Sequence, residues 1–332
     1  MIRSRTFPAF LSVCAGLLLA AVPAVRAADA DVKLTQTDGK ILVEIGGKPF
    51  TEYRFEPEKD LPWARPYFYP VRAPDGTEIT SDQSRFNPKE HPHHRSLYVA
   101  QGAVNGVDHW AHPNKPATPD IKPADVRQPE QKHLKFEKVG GDTIVEQLAW
   151  EDKEGKPMLL ETRTWRFFAF ADGSRGIDQT SVFSAAEAPV TFGETKEAGL
   201  ASVRLNKAIS DTSTITMEKI ASTDKKTENS VWGKKSPWCD LSGKIDGKDY
   251  GAAILDHPSN PRSPSNWHVR HYGLLSANVF GLYDFDKVNN AKGSGDFKIQ
   301  PGKPVTFKYR YVIHTGNAAS AKLPEKFAEF AK

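Results

Sequence analysis

Cysteine is almost absent from this sequence of 332 residues: there are two, Cys14 and Cys239. Cys14 falls within an apolar N-terminal stretch that reads as a cleaved leader. The mature chain then keeps Cys239 alone, no intramolecular disulfide is possible, and stability must come from an ordinary core. Long apolar runs are also missing after residue 27, so no later segment is expected to span a membrane. No Gly-rich loop joins a strand to a helix, which argues against a Rossmann or P-loop nucleotide site. Internal repeats and low-complexity linkers are absent too, and about 305 residues suffice for a single large β domain over 28–332.

The leader itself is explicit. Arg3 and Arg5 form a basic start, Phe7 to Val22 an apolar stretch, and Val25-Arg26-Ala27 a small-x-small cleavage pattern, so 1–27 is expected to be a secretory signal peptide. Cys14 sits behind Val13, where a lipoprotein site needs a small residue. Export to the periplasm or the cell exterior is the expected localisation. Loss of three arginines and no acid with the leader lowers the formal charge from +4 to +1. That leaves no basic patch of the kind a nucleic-acid partner requires, and no membrane partner is expected after cleavage.

What the sequence has in abundance is period-two patterning. Ile144, Glu146, Leu148 and Trp150 alternate with Val145, Gln147 and Ala149. Met158 to Phe170 is a long run rich in aromatics, and Val305, Phe307, Tyr309, Tyr311 and Ile313 share one face. Asp75-Gly76, Gly140-Gly141-Asp142, Asp172-Gly173 and Asp246-Gly247 punctuate these runs as hairpin turns. Only Leu323 to Ala331 reads as a helix. The expected fold is all-β, two large antiparallel sheets packed face to face with a short C-terminal helix. Residues 112–129 and 222–235 read as exposed loops.

Three segments concentrate chemistry. The first runs from Glu90-His91-Pro92-His93-His94-Arg95 to Asn105-Gly106-Val107-Asp108-His109-Trp110, and five of the ten histidines lie between His91 and His112. Imidazole titrates near neutral pH and binds metals. Pro92 is expected to hold His91 extended, and in a strand His91 and His93 would share one face with His94 on the other. Three readings are open: a facial metal site from His91, His93 and a carboxylate such as Glu90, a metal-free substrate or acid/base site, or structural histidines that satisfy loop carbonyls.

The second segment is Gly193-Glu194-Thr195-Lys196-Glu197-Ala198-Gly199. If extended, it places Glu194 and Lys196 on one face and Glu197 on the other. A lysine beside a carboxylate can keep it ionised as a general base; the alternative is a solvated surface pair of little energetic consequence. In the third, the buried run Ala252 to Leu255 delivers Asp256 and His257 to a loop containing Asn260, followed by Trp267-His268-Val269-Arg270-His271-Tyr272. Trp, Tyr, Arg, Asn and His together match a sugar site, where an aromatic face stacks on C–H groups and planar polar groups take hydroxyls. A Pro-rich loop pinned by one buried Trp is the structural alternative.

The ordered set of motifs, His91-Pro92-His93-His94-Arg95-Ser96-Leu97, Asn105-Gly106-Val107-Asp108-His109-Trp110, Lys196-Glu197-x-Gly199 and Asp256-His257-Pro258-x-Asn260-Pro261, resembles a bacterial family often labelled methane oxygenase PmoA. The membrane-spanning helices of a particulate methane monooxygenase subunit have no counterpart in this sequence. The chain is also distantly similar to the galactose mutarotase-like supersandwich, through its long strands and the Gln300-Pro301-Gly302 turn leading into Val305 to Ile313. That resemblance implies a sugar trough with a histidine acid and a glutamate base. Here the histidine would be His91, His93, His94 or His268 and the base Glu194 or Glu197.

The expected function is therefore an exported carbohydrate-active enzyme that isomerises, eliminates or hydrolyses by His/Glu acid-base chemistry. Its catalytic candidates are His91, His93, His94, Glu194, Lys196, Glu197, His257 and His268. Arg95, Asn105, His109, Trp110, Asp256, Asn260, Trp267, Arg270 and Tyr272 are the candidates for holding a carbohydrate. No cofactor is required, and a divalent metal on His91 and His93 is the one considered. The alternatives are a non-catalytic carbohydrate-binding protein and a metal-dependent oxygenase on the His91/His93 cluster.

Overall fold

The computed structural model describes residues 27–28, 31–59, 61, 63–111 and 129–332. The expected leader, apart from Ala27, and positions 112–128 of the first expected loop lie outside the described residues. Two large antiparallel sheets dominate. From edge to edge the first holds Ala221–Ser222, Thr214–Met217, Trp238–Ile245, Lys248–Asp256, Val305–Thr315, Arg175–Ala185, Pro157–Phe170, Thr143–Glu151 and Gln131–Gly140, with Ala27–Ala28 paired to the 157–170 strand. The second runs Asn266–Arg270, Leu274–Asn278, Ala198–Arg204, Leu97–Gln101, Tyr67–Val71, Lys48–Arg54, Lys40–Ile45 and Val32–Thr37. A two-stranded ribbon, Val190–Phe192 with Phe297–Ile299, stands apart.

The expected strands form for the expected reason: alternation puts one apolar set on one face. Leu159, Trp165 and Phe167 of the longest strand, Ile177 and Phe183 of its neighbour, and Phe307, Tyr309 and Tyr311 of the next meet Phe68, Leu97, Val99, Val203 and Leu275 of the second sheet in one core. Phe68 packs edge-on against Trp165 across the layers, with centroids 4.9 Å apart. Each such side chain removed from water contributes roughly 1.5–3 kcal/mol. The Asp246-Gly247 turn has positive φ at both positions, 49° and 81°, the conformation of a tight type I′ hairpin, and it joins two strands paired in register from Ile245↔Lys248 to Trp238↔Leu255.

The helix Leu323–Phe330 lies on the outer face of the first sheet, where Leu323, Phe327 and Phe330 cover Phe168, Phe170, Leu255 and Val312. No helix among the described residues is long and apolar enough to cross a membrane. Three single-turn helices, Gln83–Phe86, Lys207–Asp211 and Leu282–Phe285, add to the expected one. Segments of four or five residues are too short to show a 3.6-residue period. The segment 222–235 also departs from the exposed loop expected of it: it contains the 3₁₀ turn Glu228–Ser230 and buries Val231 completely.

Candidate functional site

Strand parity builds the site. Along one row of the second sheet His268 pairs with Ser276, Ser276 with Ser202, and Ser202 with Tyr98. Directly opposed residues project to the same face, and this face points away from the core. The next row adds Arg270, Leu274 and Arg204. The two central serines, whose hydroxyls lie 2.7 Å apart, are the smallest side chains in the row, which leaves room above the sheet between His268 and Tyr98. The intervening residues Trp267, Val269, Leu275, Ala277, Ala201 and Val203 face the core.

Above this floor lies an open cleft of about 520 Å³ lined by His91, His93, His94, Asp108, Trp110, Ala111, Lys196, Glu197, Glu228, His268, Arg270 and Tyr272. Nine of the residues expected from three distant segments thus meet in one place. Glu197 is held at the rim by the backbone of Gly102, whose N–H donates to the Glu197 carbonyl at 2.8 Å. A Cβ on Gly102 would stand 2.6 Å from that oxygen, so only glycine permits the approach.

The histidines do not lie in a strand. His94 N–H donates to the His91 carbonyl at 2.9 Å, closing a turn with Pro92 at its second position, and the Ser84 hydroxyl pins the Pro92 carbonyl at 2.6 Å. His91 has φ +49°, not the extended conformation expected before proline. The closed turn imposes this conformation, which is costly for a non-glycine residue. As a result all three rings reach the same cleft: His91 stacks on His94 at 5.0 Å and on Tyr272 at 5.0 Å, and His93 meets His94 edge-on at 4.4 Å.

Two hydrogen bonds set opposite tautomers. His268 Nδ1 lies 2.8 Å from the Lys196 carbonyl, which only accepts, so Nδ1 carries the proton and Nε2 keeps its lone pair. His94 Nδ1 lies 3.3 Å from Arg204 Nη1, which only donates, so Nδ1 accepts and Nε2 carries the proton. These two rings flank Trp110, at 5.6 Å for His94 and 6.3 Å for His268. Burial, joined by the positive charge of nearby arginines, lowers the imidazole pKa values: His93 to about 3 through burial, Arg65, His91 and Arg204, and His268 to about 3 through burial and Arg270. His94 falls well below its ordinary value by burial, His93 and Arg204. At neutral pH these rings are uncharged, and each can donate only as a neutral N–H, not as an imidazolium.

Buried polar atoms with no hydrogen-bond partner among the described residues gather here: His91 Nδ1, His94 Nε2, Tyr98 Oη, Trp110 Nε1, Arg65 Nε and Arg204 Nε. Buried polar groups are normally satisfied, and a cluster of exceptions around one cleft marks groups available to a ligand. The rim charges are paired, Lys196 with Glu197 at 3.5 Å and Arg270 with Glu228 at 2.7 Å. Among the described residues no three His, Cys, Asp or Glu side chains are arranged to hold a metal ion; the His91 and His93 rings stand 5.9 Å apart at 73°. The set considered, His91 and His93 with a carboxylate, is not assembled among the described residues.

The other expected site residues do not line the cleft. Trp267 faces the core by parity, its indole N–H donating to the Ser236 carbonyl at 2.9 Å. The chain bends at Lys196 and Glu197, so Glu194 parts from Lys196 and its carboxylate instead accepts the backbone N–H groups of Tyr283, Gly293 and Gly295 at 2.5–3.0 Å. Arg95 is buried in ion pairs with Asp82 at 2.9–3.0 Å. Asn105 sits in a turn at φ +49° and accepts the Thr191 N–H at 2.8 Å. His109 is buried against Trp150 and bonds the Glu151 carbonyl at 3.0 Å. Asn260 staples Asp256 (2.6 Å) to the Lys308 backbone, while His257 packs edge-on to Phe330 at 5.0 Å.

Sequence reasoning missed Asp108, Glu228, Arg204 and Arg65. Arg204 carried a visible signal, a lone charge closing the otherwise apolar or small run Ala198–Arg204, every residue of which is buried. Glu228 had none, because its segment reads as a loop.

No curated protein matches this sequence. Among solved structures, a GalM/aldose epimerase homologue from C. elegans is 9% identical over 87% of this chain and 99% of its own, with a TM-score of 0.34. A putative aldose 1-epimerase from Klebsiella pneumoniae is 10% identical over 91% of this chain and 88% of its own, with a TM-score of 0.37. A beta-arabinopyranosidase is 15% identical over 88% of this chain, which spans 40% of that protein, with a TM-score of 0.32. Likenesses this remote carry no residue roles to this chain. The methane-oxygenase label implied by the motifs is not part of the matching family's description. That family's model matches residues 40–328, and the chain belongs to it: DUF6807, a family of unknown function.

Proposed function

We propose that this protein is an exported carbohydrate-active enzyme that moves a proton on a sugar bound in the cleft. The observation that carries the reading is the pair of neutral imidazoles in opposite tautomers on either side of Trp110. A sugar laid against Trp110 and Tyr272 presents hydroxyl and carbonyl oxygens to both rings. The His268 Nε2 lone pair accepts a proton from carbon beside a carbonyl, and the His94 Nε2–H donates a hydrogen bond to the oxygen on which enolate charge develops. Glu197, beside Lys196, is the second acceptor at the rim. Proton removal followed by return on another position is isomerisation; loss of a β-oxygen substituent is elimination. Export rests on the N-terminal leader pattern.

The test is solvent deuterium incorporation into a panel of keto-sugars, followed by NMR. Exchange that falls about a hundredfold or more in His268→Gln, with sugar affinity retained, supports the reading. Exchange unchanged in both His268→Gln and Glu197→Gln overturns it. One observation favours a second reading, a non-catalytic carbohydrate-binding protein: an imidazole held near 3, as in His93 and His268, is a weak base. That reading predicts sugar affinity with no exchange in the unmodified protein.

A further inference from the structure

Two guanidiniums stand behind the cleft wall without a counterion among the described residues. Arg204 is 5% exposed and Arg65 1%. Arg204 makes its hydrogen bond to the His94 ring, stacks 4.8 Å from the Tyr272 ring, and leaves Nε unpartnered. Arg65 donates to the carbonyls of His109 and Trp110 at 2.5 Å, lies 5.3 Å over the Tyr98 ring, and also leaves Nε unpartnered. Among the described residues neither has a carboxylate within ion-pair distance. Glu90 and Asp108 reach them only through the longer-range field.

Three other deeply buried arginines are ion-paired, Arg95 with Asp82, Arg163 with Glu161 and Arg310 with Asp178, while Arg175, outside the cleft lining, has no ion pair among the described residues and donates to the Pro49 carbonyl at 3.0 Å. A buried charge is retained without a partner only against a large desolvation cost. Two of them behind one wall, with the rim cations Lys196 and Arg270 already paired, outnumber the remaining lining carboxylate, Asp108, and leave a net positive field toward the cleft.

Resting on the reading that the ligand is a sugar, we propose that this sugar is anionic, its carboxylate or phosphate held against the wall formed by His93, His94 and Tyr272, in front of Arg65 and Arg204. An anion there supplies the counterion that the fold withholds. Its charge raises the proton affinity of the neighbouring imidazoles, which strengthens His268 as a base only when substrate is present, and the His94 Nε2–H stays available to the enolate oxygen.

The experiment is calorimetric binding at low salt of D-glucose, D-galactose and D-mannose, each against its uronic acid and its 6-phosphate, repeated with Arg204→Gln and Arg204→Lys. The expected result is that one anionic series binds at least about tenfold more tightly than the neutral sugars. That advantage shrinks with added salt, is lost in Arg204→Gln, and is largely kept in Arg204→Lys. Whichever series wins separates carboxylate from phosphate. Equal binding of neutral and anionic forms overturns the inference and leaves the sugar reading standing, whereas no binding of any sugar overturns both. Should Arg204→Gln not fold, the salt dependence of the anionic advantage in the unmodified protein decides: an advantage indifferent to salt overturns the proposal.

Discussion

His94 and Arg95 are neighbours in sequence and belong to opposite kinds of polar interior. Arg95 enters a closed network. The Asp82 carboxylate accepts from Arg95 Nε and Nη2 at 3.0 and 2.9 Å, from Arg85 Nε at 2.9 Å, from the Tyr67 hydroxyl at 3.1 Å and from the Ser84 backbone at 3.1 Å. Glu58 takes Arg54 at 2.5 Å, the Tyr67 hydroxyl at 2.8 Å, and Arg85. His94 enters an open one, where among the described residues Arg204 and Arg65 lack carboxylates and donors on His94, Trp110 and Tyr98 are unspent. The difference teaches how to tell scaffold from site. A satisfied buried network fixes the loop that carries it, and an unsatisfied one is completed by something else. The first holds the turn 91–94 in place so that the second can stay open.

Breaking the closed network should have the largest effect. Asp82→Asn strands Arg85 and Arg95 beside a neutral amide, and removal of one partner from a buried ion pair costs about 3–5 kcal/mol. Urea denaturation should show that loss. A change below about 1 kcal/mol would mean that the two networks are not energetically distinct.

Acid should then act on the open region. His93 and His268 have folded pKa values of about 3, lowered by burial first and by arginines second, while unfolded imidazoles titrate near 6.5. The unfolded state therefore binds more protons between these values. Stability is fully present above about pH 6.5 and is lost as pH falls toward 3, with His268 alone contributing about 1.4 kcal/mol per unit. Thermal unfolding at pH 7.5 and 5 should show the drop, and His268→Gln should remove part of the slope. A smaller and more local effect is expected of Gly102→Ala, whose Cβ must displace the Glu197 carbonyl. It should cost about 1–3 kcal/mol and, on the proposed function, lower turnover through Glu197 more than it lowers sugar affinity.

Much of this contrast was legible in sequence and part was not, for identifiable reasons. The sheets followed from alternation, and alternation also carries the site: His268, Arg270 and Tyr272 are spaced by two and all line the cleft. The same parity sends Trp267 to the core, so composition alone misplaced a residue that spacing would have placed. His91 departs from the extended conformation because the local rule about proline yields to a turn closed by the His94 N–H and pinned from Ser84. Glu194 and Glu197 look equivalent in a charged segment; only the bend between them sends one to the cleft and the other to three backbone amides. Glu228 and Arg65 had no local pattern at all, since their positions depend on long-range packing.

Arg204 gives the smallest expected stability effect and the sharpest test of the comparison. It is nearly as buried as Arg95 of the closed network, 5% exposed against 2%, so burial alone predicts a large loss on truncation. Without a carboxylate partner, however, Arg204→Met removes no ion pair and relieves a desolvated charge. It gives up one hydrogen bond of 3.3 Å and the stacking on Tyr272, together about 1–2 kcal/mol, against a desolvation gain of similar size. Its net effect on urea denaturation should lie within about 1 kcal/mol of zero, while the His94 and His93 pKa values rise as a positive neighbour disappears. NMR titration of the imidazoles reads the second effect independently of the first. A loss of stability as large as that of Asp82→Asn would show that Arg204 is scaffold, and the open network would then need no ligand to explain it.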